Sequence, residues 1–271
     1  MKKVMLIGAS FLINTMFLSI SECKECNVAQ LVSQLPQIYQ LIYNHPDLTD
    51  EKTVQRICVD REREIISLVE KYLSLTKKKY ITVLDIGCSQ GYFCFKLKEH
   101  FGDKVQITGI DIDQKNIDLC NALNKENNFD IKFVKETLNN DFVNNIKNDQ
   151  FDIVMVLGVI HHEARPTGSI YAKKSKGGYA HAKKLLSKLI KKSQFSIIEL
   201  ALREEFRSDF GELPINYMDW FSDIAFSKTI ASFHRTTVSK EDRGEDKNLK
   251  MRPMIIASDK YIFENGEFYK I

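Results

Sequence analysis

At 271 residues, with 44% hydrophobic and 28% charged side chains, the chain has the length and apolar content of one α/β domain with appendages, and it is too apolar to be disordered. Its 39 basic residues stand against 36 acidic ones, so no global positive field selects nucleic acid as a partner and any basic site is local. The six cysteines (Cys23, Cys26, Cys58, Cys88, Cys94, Cys120) do not form the framework of a small secreted domain, which favours a reduced compartment.

Residues 1–21 pull the other way. Met1-Lys2-Lys3, the apolar run 4–20 and then Ser21 have the three regions of a signal peptide. Gly8, Ser10, Asn14 and Thr15 interrupt the run, and its 17 residues are marginal for spanning about 30 Å of hydrocarbon. A cleaved signal, a membrane anchor and a buried helix all stay open. Cys23 and Cys26 form a lone CxxC with no second pair at ligand spacing, so no metal site is expected.

Leu31, Leu35, Ile38, Leu41 and Ile42 recur at three- and four-residue steps and predict an amphipathic helix over residues 28–43, bent or divided at Pro36. A second helix is expected to start with the negative turn of Asp50 and Glu51 and to run, on a stripe of Ile57, Ile65, Ile66, Leu68, Val69 and Leu73, to Lys77-Lys78-Lys79. Beyond it, apolar runs at 80–86, 105–110, 131–134, 151–157 and 195–200 read as parallel strands. Between them, 92–100, 114–127, 138–147 and 179–192 are long enough to be crossover helices. The expected architecture is a Rossmann-like α/β fold: an open, doubly wound, mostly parallel sheet over residues 80–271, with N-terminal helices over 28–79. Residues 204–248 read as irregular, and 254–258 and 260–263 as terminal strands.

The segment Val83-Leu84-Asp85-Ile86-Gly87-Cys88-Ser89-Gln90-Gly91 is a buried strand running into a tight turn, with a helix starting at Tyr92. Gly87 and Gly91 admit backbone conformations closed to other residues and let a ligand approach. A dinucleotide enzyme would use GxGxxG to seat a pyrophosphate. Here the spacing is GxxxG and Asp85 disfavours a phosphate, so a cation such as the sulfonium and amino groups of S-adenosylmethionine fits better. Alone, such a turn is about equally a packing device. The second strand ends in Gly109-Ile110-Asp111, roughly twenty residues on, the spacing at which a carboxylate meets a ribose diol. The competing reading of Asp111 is an exposed cap for the helix near Gln114. Beyond the fourth strand stand His161 and His162, on the expected acceptor side. As neighbours on one element they are expected to point in different directions, unable to share a metal, with one catalytic and the other structural. Arg203, in Glu199-Leu200-Ala201-Leu202-Arg203-Glu204-Glu205, is placed to face an anion or to be part of a solvated charge run.

The glycine segment resembles the first motif of class I S-adenosylmethionine-dependent methyltransferases, with Ser89 in place of the commoner middle glycine. LVSQLPQIYQ from Leu31, Asn44-His45-Pro46, LDIGCSQGYF, GIDIDQKNID, VIHHE, ELALREE and Arg252-Pro253-Met254 follow one another in an order similar to the methyltransferase part of the bifunctional O-antigen chain terminators. That likeness covers about 28 to 263. It implies Tyr39 and Gln40, on the first helix, lying over the donor, with Arg61 on the donor carboxylate. It further implies Gly87 beneath the donor, Asp111 on the ribose, Glu136 or Thr137 near the adenine, and Leu157 on the floor; Asp85, Cys88, Gly91 and Ile112 complete the expected donor-binding set. Those enzymes methylate a phosphate that ends a polymannose glycan and carry a kinase domain, for which these 271 residues leave no length. A longer loop at 163–178, with Arg165, Lys173, Lys174 and Lys176, and a dissimilar stretch at 206–246, with Trp220 and His234, depart from the family and are expected near the acceptor.

The resulting expectation is an O-methyltransferase acting on a glycan or glycan phosphate in surface polysaccharide synthesis, with His161, His162 and Arg203 at the acceptor. A small-molecule or lipid-precursor O-methyltransferase is the alternative within enzymes, and a noncatalytic donor-binding scaffold the alternative outside them. Because the donor is a cytosolic metabolite, the expected location is cytoplasmic, membrane-associated through residues 1–21, with signal-directed export as the alternative.

Overall fold

The computed structural model describes residues 27–50, 54, 58–164, 178–200, 232–237, 251–264 and 266–270. The apolar segment 1–21, Cys23, Cys26, the lysine-rich loop, Arg203 and Trp220 lie outside these residues. Among the described residues no helix is long and apolar enough to cross a membrane.

Seven strands form one sheet: β1 Ile81–Ile86, β2 Val105–Asp111, β3 Lys132–Lys135, β4 Phe151–Leu157, β5 Ser193–Glu199, β6 Ser232–Thr237 and β7 Met251–Ala257. Their order is β3-β2-β1-β4-β5-β7-β6. The first five strands pair in parallel, while β7 runs antiparallel to both β5 and β6. β6 falls inside the stretch expected to be irregular. Its sequence, SFHRTT, is polar enough to hide a strand when only one neighbour, β7, pairs with it.

Burial on both faces explains the continuous apolar strands. In β4, Ile153 and Met155 face one layer while Val154 and Val156 face the other, all fully buried. Each such side chain contributes about 1.5–3 kcal/mol of transfer free energy. The first layer takes helices α2 Val59–Thr76, α3 Tyr92–Phe101 and α4 Gln114–Glu126; the second takes α5 Asn140–Asn145 and α7 Gly178–Lys191. The sheet is therefore doubly wound.

The N-terminal helices differ from expectation. α1 spans only Val28–Ser33. Pro36 lacks an N–H and disfavours helical backbone at Leu35, so the apolar repeat continues along a non-helical strap, residues 34–50, instead of along a helix. α2 begins at Val59, and Asp60 and Glu62, not Asp50 and Glu51, supply its acidic first turn.

At the amino edge, Asp152 of β4 accepts hydrogen bonds from the Tyr72 hydroxyl (3.0 Å) and the Thr82 N–H (2.9 Å), tying α2 and β1 to β4. A terminal hairpin, β8 Tyr261–Glu264 and β9 Glu267–Lys270, packs its Tyr261 and Phe268 edge-on to Tyr72. β9 escaped sequence analysis because EFYK has a single inward-facing apolar residue, Phe268.

Candidate active site

The order of strands reverses between β1 and β4, and open α/β sheets bind ligands outside the carboxyl ends at such a point. The Gly87–Gly91 turn lies there. Gly87 and Cys88 donate their N–H groups to the Ile110 carbonyl at 2.8 and 2.9 Å, lashing the turn to the end of β2. Gly87 has φ +72° and Gly91 φ +77°. The expectation that Gly87 leaves space for a ligand is corrected in one respect: a Cβ there would collide with the Val159 side chain. Parallel pairing of β1 with β4 brings the loop after β4 against the glycine turn, and bare backbone at 87 is what lets the two loops touch. Gly91 packs as closely, over Cys120 and Phe95.

Three buried carboxylates converge on this edge. Asp85, in β1, accepts the Cys94 thiol hydrogen at 3.3 Å. Burial pushes its pKa up to about 7; the Cys94 hydrogen bond opposes this, the charge of Asp111 adds to it, and Arg61 opposes it. Asp111, ending β2, is 8% exposed and accepts from the Ser89 N–H (2.9 Å), the Asp113 N–H (2.8 Å) and Asn116 Nδ2 (3.3 Å). Burial raises its pKa against the pull of those hydrogen bonds. The cap of α4 is instead Asp113, which accepts the Lys115 N–H, so Asp111 is not an exposed helix cap. The third carboxylate, Glu199, ends β5 and pairs with the buried Arg61 at 3.3 Å. Arg61 also lies over the Phe93 ring, 4.9 Å from its centroid.

Among the described residues Asp85, Asp111 and Glu199 stand with Arg61 at one strand edge, an arrangement whose desolvated negative charge favours a cationic ligand. Ile112, a large apolar side chain left 43% exposed beside Asp111, offers a surface for a flat aromatic base. Glu136 donates its N–H to the Asp111 carbonyl (3.0 Å) and accepts from the Thr137 N–H, so both residues flank the same rim. These residues can hold a cationic nucleoside: negative charge below, an apolar wall, and acidic and amide groups at the rim. Among the described residues no cluster of three metal-ligating side chains occurs.

Tyr39 and Gln40 belong to the strap, not to the first helix, and the strap brings them to the turn. Gln40 is buried and accepts the Tyr92 N–H at 3.0 Å, supplying the cap that Gly91 cannot give α3. Cys88 is fully buried, its thiol directed toward Gly109, so it supports the turn from below. Leu157 ends β4, half-buried.

His161 and His162 occupy the short helix α6 Ile160–Ala164 just past β4, and here the expectation of divergent rings fails. Their centroids are 4.0 Å apart at an interplanar angle of 41°. Side-chain torsions bring together two rings whose Cα–Cβ bonds point apart. His161 is buried and His162 half-buried.

Sequence reasoning missed Gln90 and Asn116. Gln90, fully buried, accepts through Oε1 from the N–H groups of Tyr39 and Gln40 and donates to Asn116. The available signal was a long amide inside a glycine turn, where a solvent-facing side chain would need no such group.

A seven-stranded sheet of this order, with a glycine turn after β1 and a buried acidic end to β2, defines the Rossmann-like class I methyltransferases. A model of the methyltransferase domain family matches residues 77–247. The chain belongs to this family and is an S-adenosylmethionine-dependent methyltransferase. It is 33% identical over 206 residues to the O-antigen chain terminator bifunctional methyltransferase/kinase WbdD of Escherichia coli, covering 75% of this chain and 26% of that protein. A solved structure of WbdD with the kinase inhibitor LY294002 superposes with TM-score 0.72 and 26% identity, covering 90% of this chain and 50% of that one. A shorter match, 34% identical over 83 residues, is to the ubiquinone biosynthesis O-methyltransferase of Rickettsia bellii, covering 30% of this chain and 31% of that protein. The chain thus spans about a quarter of WbdD's length by sequence.

Proposed function

We propose that this methyltransferase acts on an oxygen of a glycan or glycan phosphate in surface polysaccharide synthesis, in the cytoplasm. The observation that carries this reading is the extent of the likeness to an O-antigen chain terminator, which takes in 90% of the chain and so reaches beyond the donor fold. Support within the site comes from His161 and His162, whose loop touches the glycine turn through Val159.

The donor supplies a methyl group already activated by a sulfonium. In this reading Asp111 binds the ribose hydroxyls, Ile112, Glu136 and Thr137 border the adenine, and Leu157 forms the floor. Arg61 holds the carboxylate, a planar fork suited to bidentate pairing, while Glu199 keeps the guanidinium in place. Asp85, Gly87, Cys88 and Gly91 shape the bed, with Tyr39 and Gln40 above. The protein's remaining task is alignment of the acceptor oxygen within about 3–3.5 Å of the methyl carbon. The oxygen's lone pair forms the new C–O bond as the C–S pair returns to sulfur. A phosphate oxygen needs no base, and the histidines and Arg203 neutralise it. A sugar hydroxyl loses its proton to one of the histidines.

The test is methyl release from labelled donor with phosphorylated and unphosphorylated mannose oligosaccharides. Turnover on the phosphorylated form, falling as rising pH takes the protons from the histidines, supports a phosphate acceptor; a rate that instead rises supports a hydroxyl. No turnover on either glycan rejects the proposal. The match to a ubiquinone biosynthesis O-methyltransferase favours a small-molecule or lipid-precursor acceptor as the second reading. Turnover on lipid precursors alone selects it.

A further inference from the structure

Because Pro36 halts the first helix, the strap amides that follow it must find acceptors elsewhere, and the structure provides one buried acceptor for two of them. Gln90 Oε1 accepts the Tyr39 and Gln40 N–H groups at 3.1 Å each, together with the Ser89 hydroxyl at 2.9 Å. Its Nε2 donates to Asn116 Oδ1 at 2.8 Å and to the Gln37 carbonyl at 3.5 Å. Asn116 Nδ2 in turn donates to Asp111 Oδ1 at 3.3 Å. One side-chain amide therefore joins the strap, the glycine turn and the carboxylate at the end of β2. The orientation is dictated: an oxygen must face the strap and a nitrogen must face Asn116, since the reverse would set donor against donor. Gln90 and Asn116 are 0% and 8% exposed, so a lost partner is not replaced by bulk water.

We infer that Gln90 is a positioning residue for methyl transfer, linking closure of the 37–40 strap to donor capture at Asp111 through Asn116. It touches neither donor nor acceptor in this scheme; it acts through the two elements that do. A donor hydroxyl that engages Asp111 fixes the carboxylate, hence Asn116 and Gln90, and the strap amides are held more firmly. By the same linkage, a seated strap raises donor affinity. The inference rests on Asp111 being the ribose carboxylate.

The experiment uses the full chain, with S-adenosylhomocysteine as probe, read by titration calorimetry and by hydrogen exchange of peptides covering residues 37–43. In the wild type the probe should slow exchange of the Tyr39 and Gln40 amides. Gln90→Ala should weaken probe binding by about tenfold or more and abolish that added protection. Gln90→Glu keeps an acceptor for the strap and removes the donor to Asn116. It should therefore retain strap protection without the probe while losing the increase on binding, a split that a merely structural glutamine would not produce. A folded Gln90→Ala that binds within about twofold of the wild type overturns the coupling if Asp111→Ala is weakened. If Asp111→Ala also binds normally, the ribose assignment fails and takes the coupling with it. Should Gln90→Ala not fold, Asn116→Ala breaks the second link alone, and an unchanged probe-induced protection of the strap there overturns the inference.

Discussion

Asp85→Asn tests the claim that the strand edge waits for positive charge. Asp85 is 2% exposed, and burial raises its pKa from the ordinary 3.8 to about 7, with Asp111 adding to the rise and Cys94 and Arg61 opposing it. A folded-state pKa above the unfolded one contributes stability that is complete below about pH 4 and is lost as pH rises through about 7. The interval corresponds to about 4 kcal/mol, an upper bound because surrounding groups relax. Asparagine is neutral and keeps an oxygen for the Cys94 thiol, so the donor-free variant should be more stable than wild type at about pH 8 and close to it only at about pH 4 or below.

Donor binding has the opposite sign. A sulfonium and an ammonium near Asp85 favour its ionised form, so binding expels the proton. Wild-type affinity should rise between about pH 6 and pH 8, by up to tenfold per pH unit below about 7, and then level off. Calorimetry in two buffers of different ionisation enthalpy would show about half a proton released at about pH 7. In Asp85→Asn the slope should flatten. A wild-type affinity independent of pH over this range, or a slope that survives the substitution, would refute the argument that a buried carboxylate is held for a cation.

Asp111→Ala should weaken donor binding at least about tenfold, measured by calorimetry, through loss of charge-assisted hydrogen bonds to the ribose; Asp111→Asn should lose less, because it still offers an oxygen to the Ser89 N–H. Gly87→Leu should abolish donor binding, since it forces an L side chain into φ +72° and against Val159; normal affinity in a folded variant would make the turn structural only. Removing residues 1–21 should leave donor affinity unchanged in calorimetry, because every assigned contact starts at Tyr39, and membrane fractionation of both forms then tests the anchor.

The donor half of the molecule was legible because its signals are local. The five parallel strands and their crossover helices appear where the apolar runs and the length of chain between them placed them, within about two residues at most ends. Asp111 stands buried at the end of β2, the strand end its spacing from the glycine turn pointed to. What failed depended on distant partners. The Leu31-to-Ile42 repeat continues past Pro36 because its residues pack against the sheet's helical layer, and such packing imposes no helix. β6 is a strand only because β7 pairs with it, and β7 in turn sits between β5 and β6 after a long excursion of chain. Gln90's role requires strap residues more than 50 positions away.

The same contrast separates donor from acceptor recognition. A donor common to a whole fold class is met by backbone turns and strand ends, which the sheet topology sets, so a few residues at regular spacing announce it. In the proposed reading acceptor choice rests on the loop after β4, where Val159 meets Gly87 and carries the paired rings of His161 and His162 to the same edge. That geometry follows from side-chain torsions and from two loops in contact, neither of which leaves a periodic trace in sequence. Glu199, at the end of β5, binds the guanidinium that the donor carboxylate is proposed to share, so a change at Glu199 should alter donor affinity. Breaking this buried ion pair by removing one partner would leave a buried charge uncompensated.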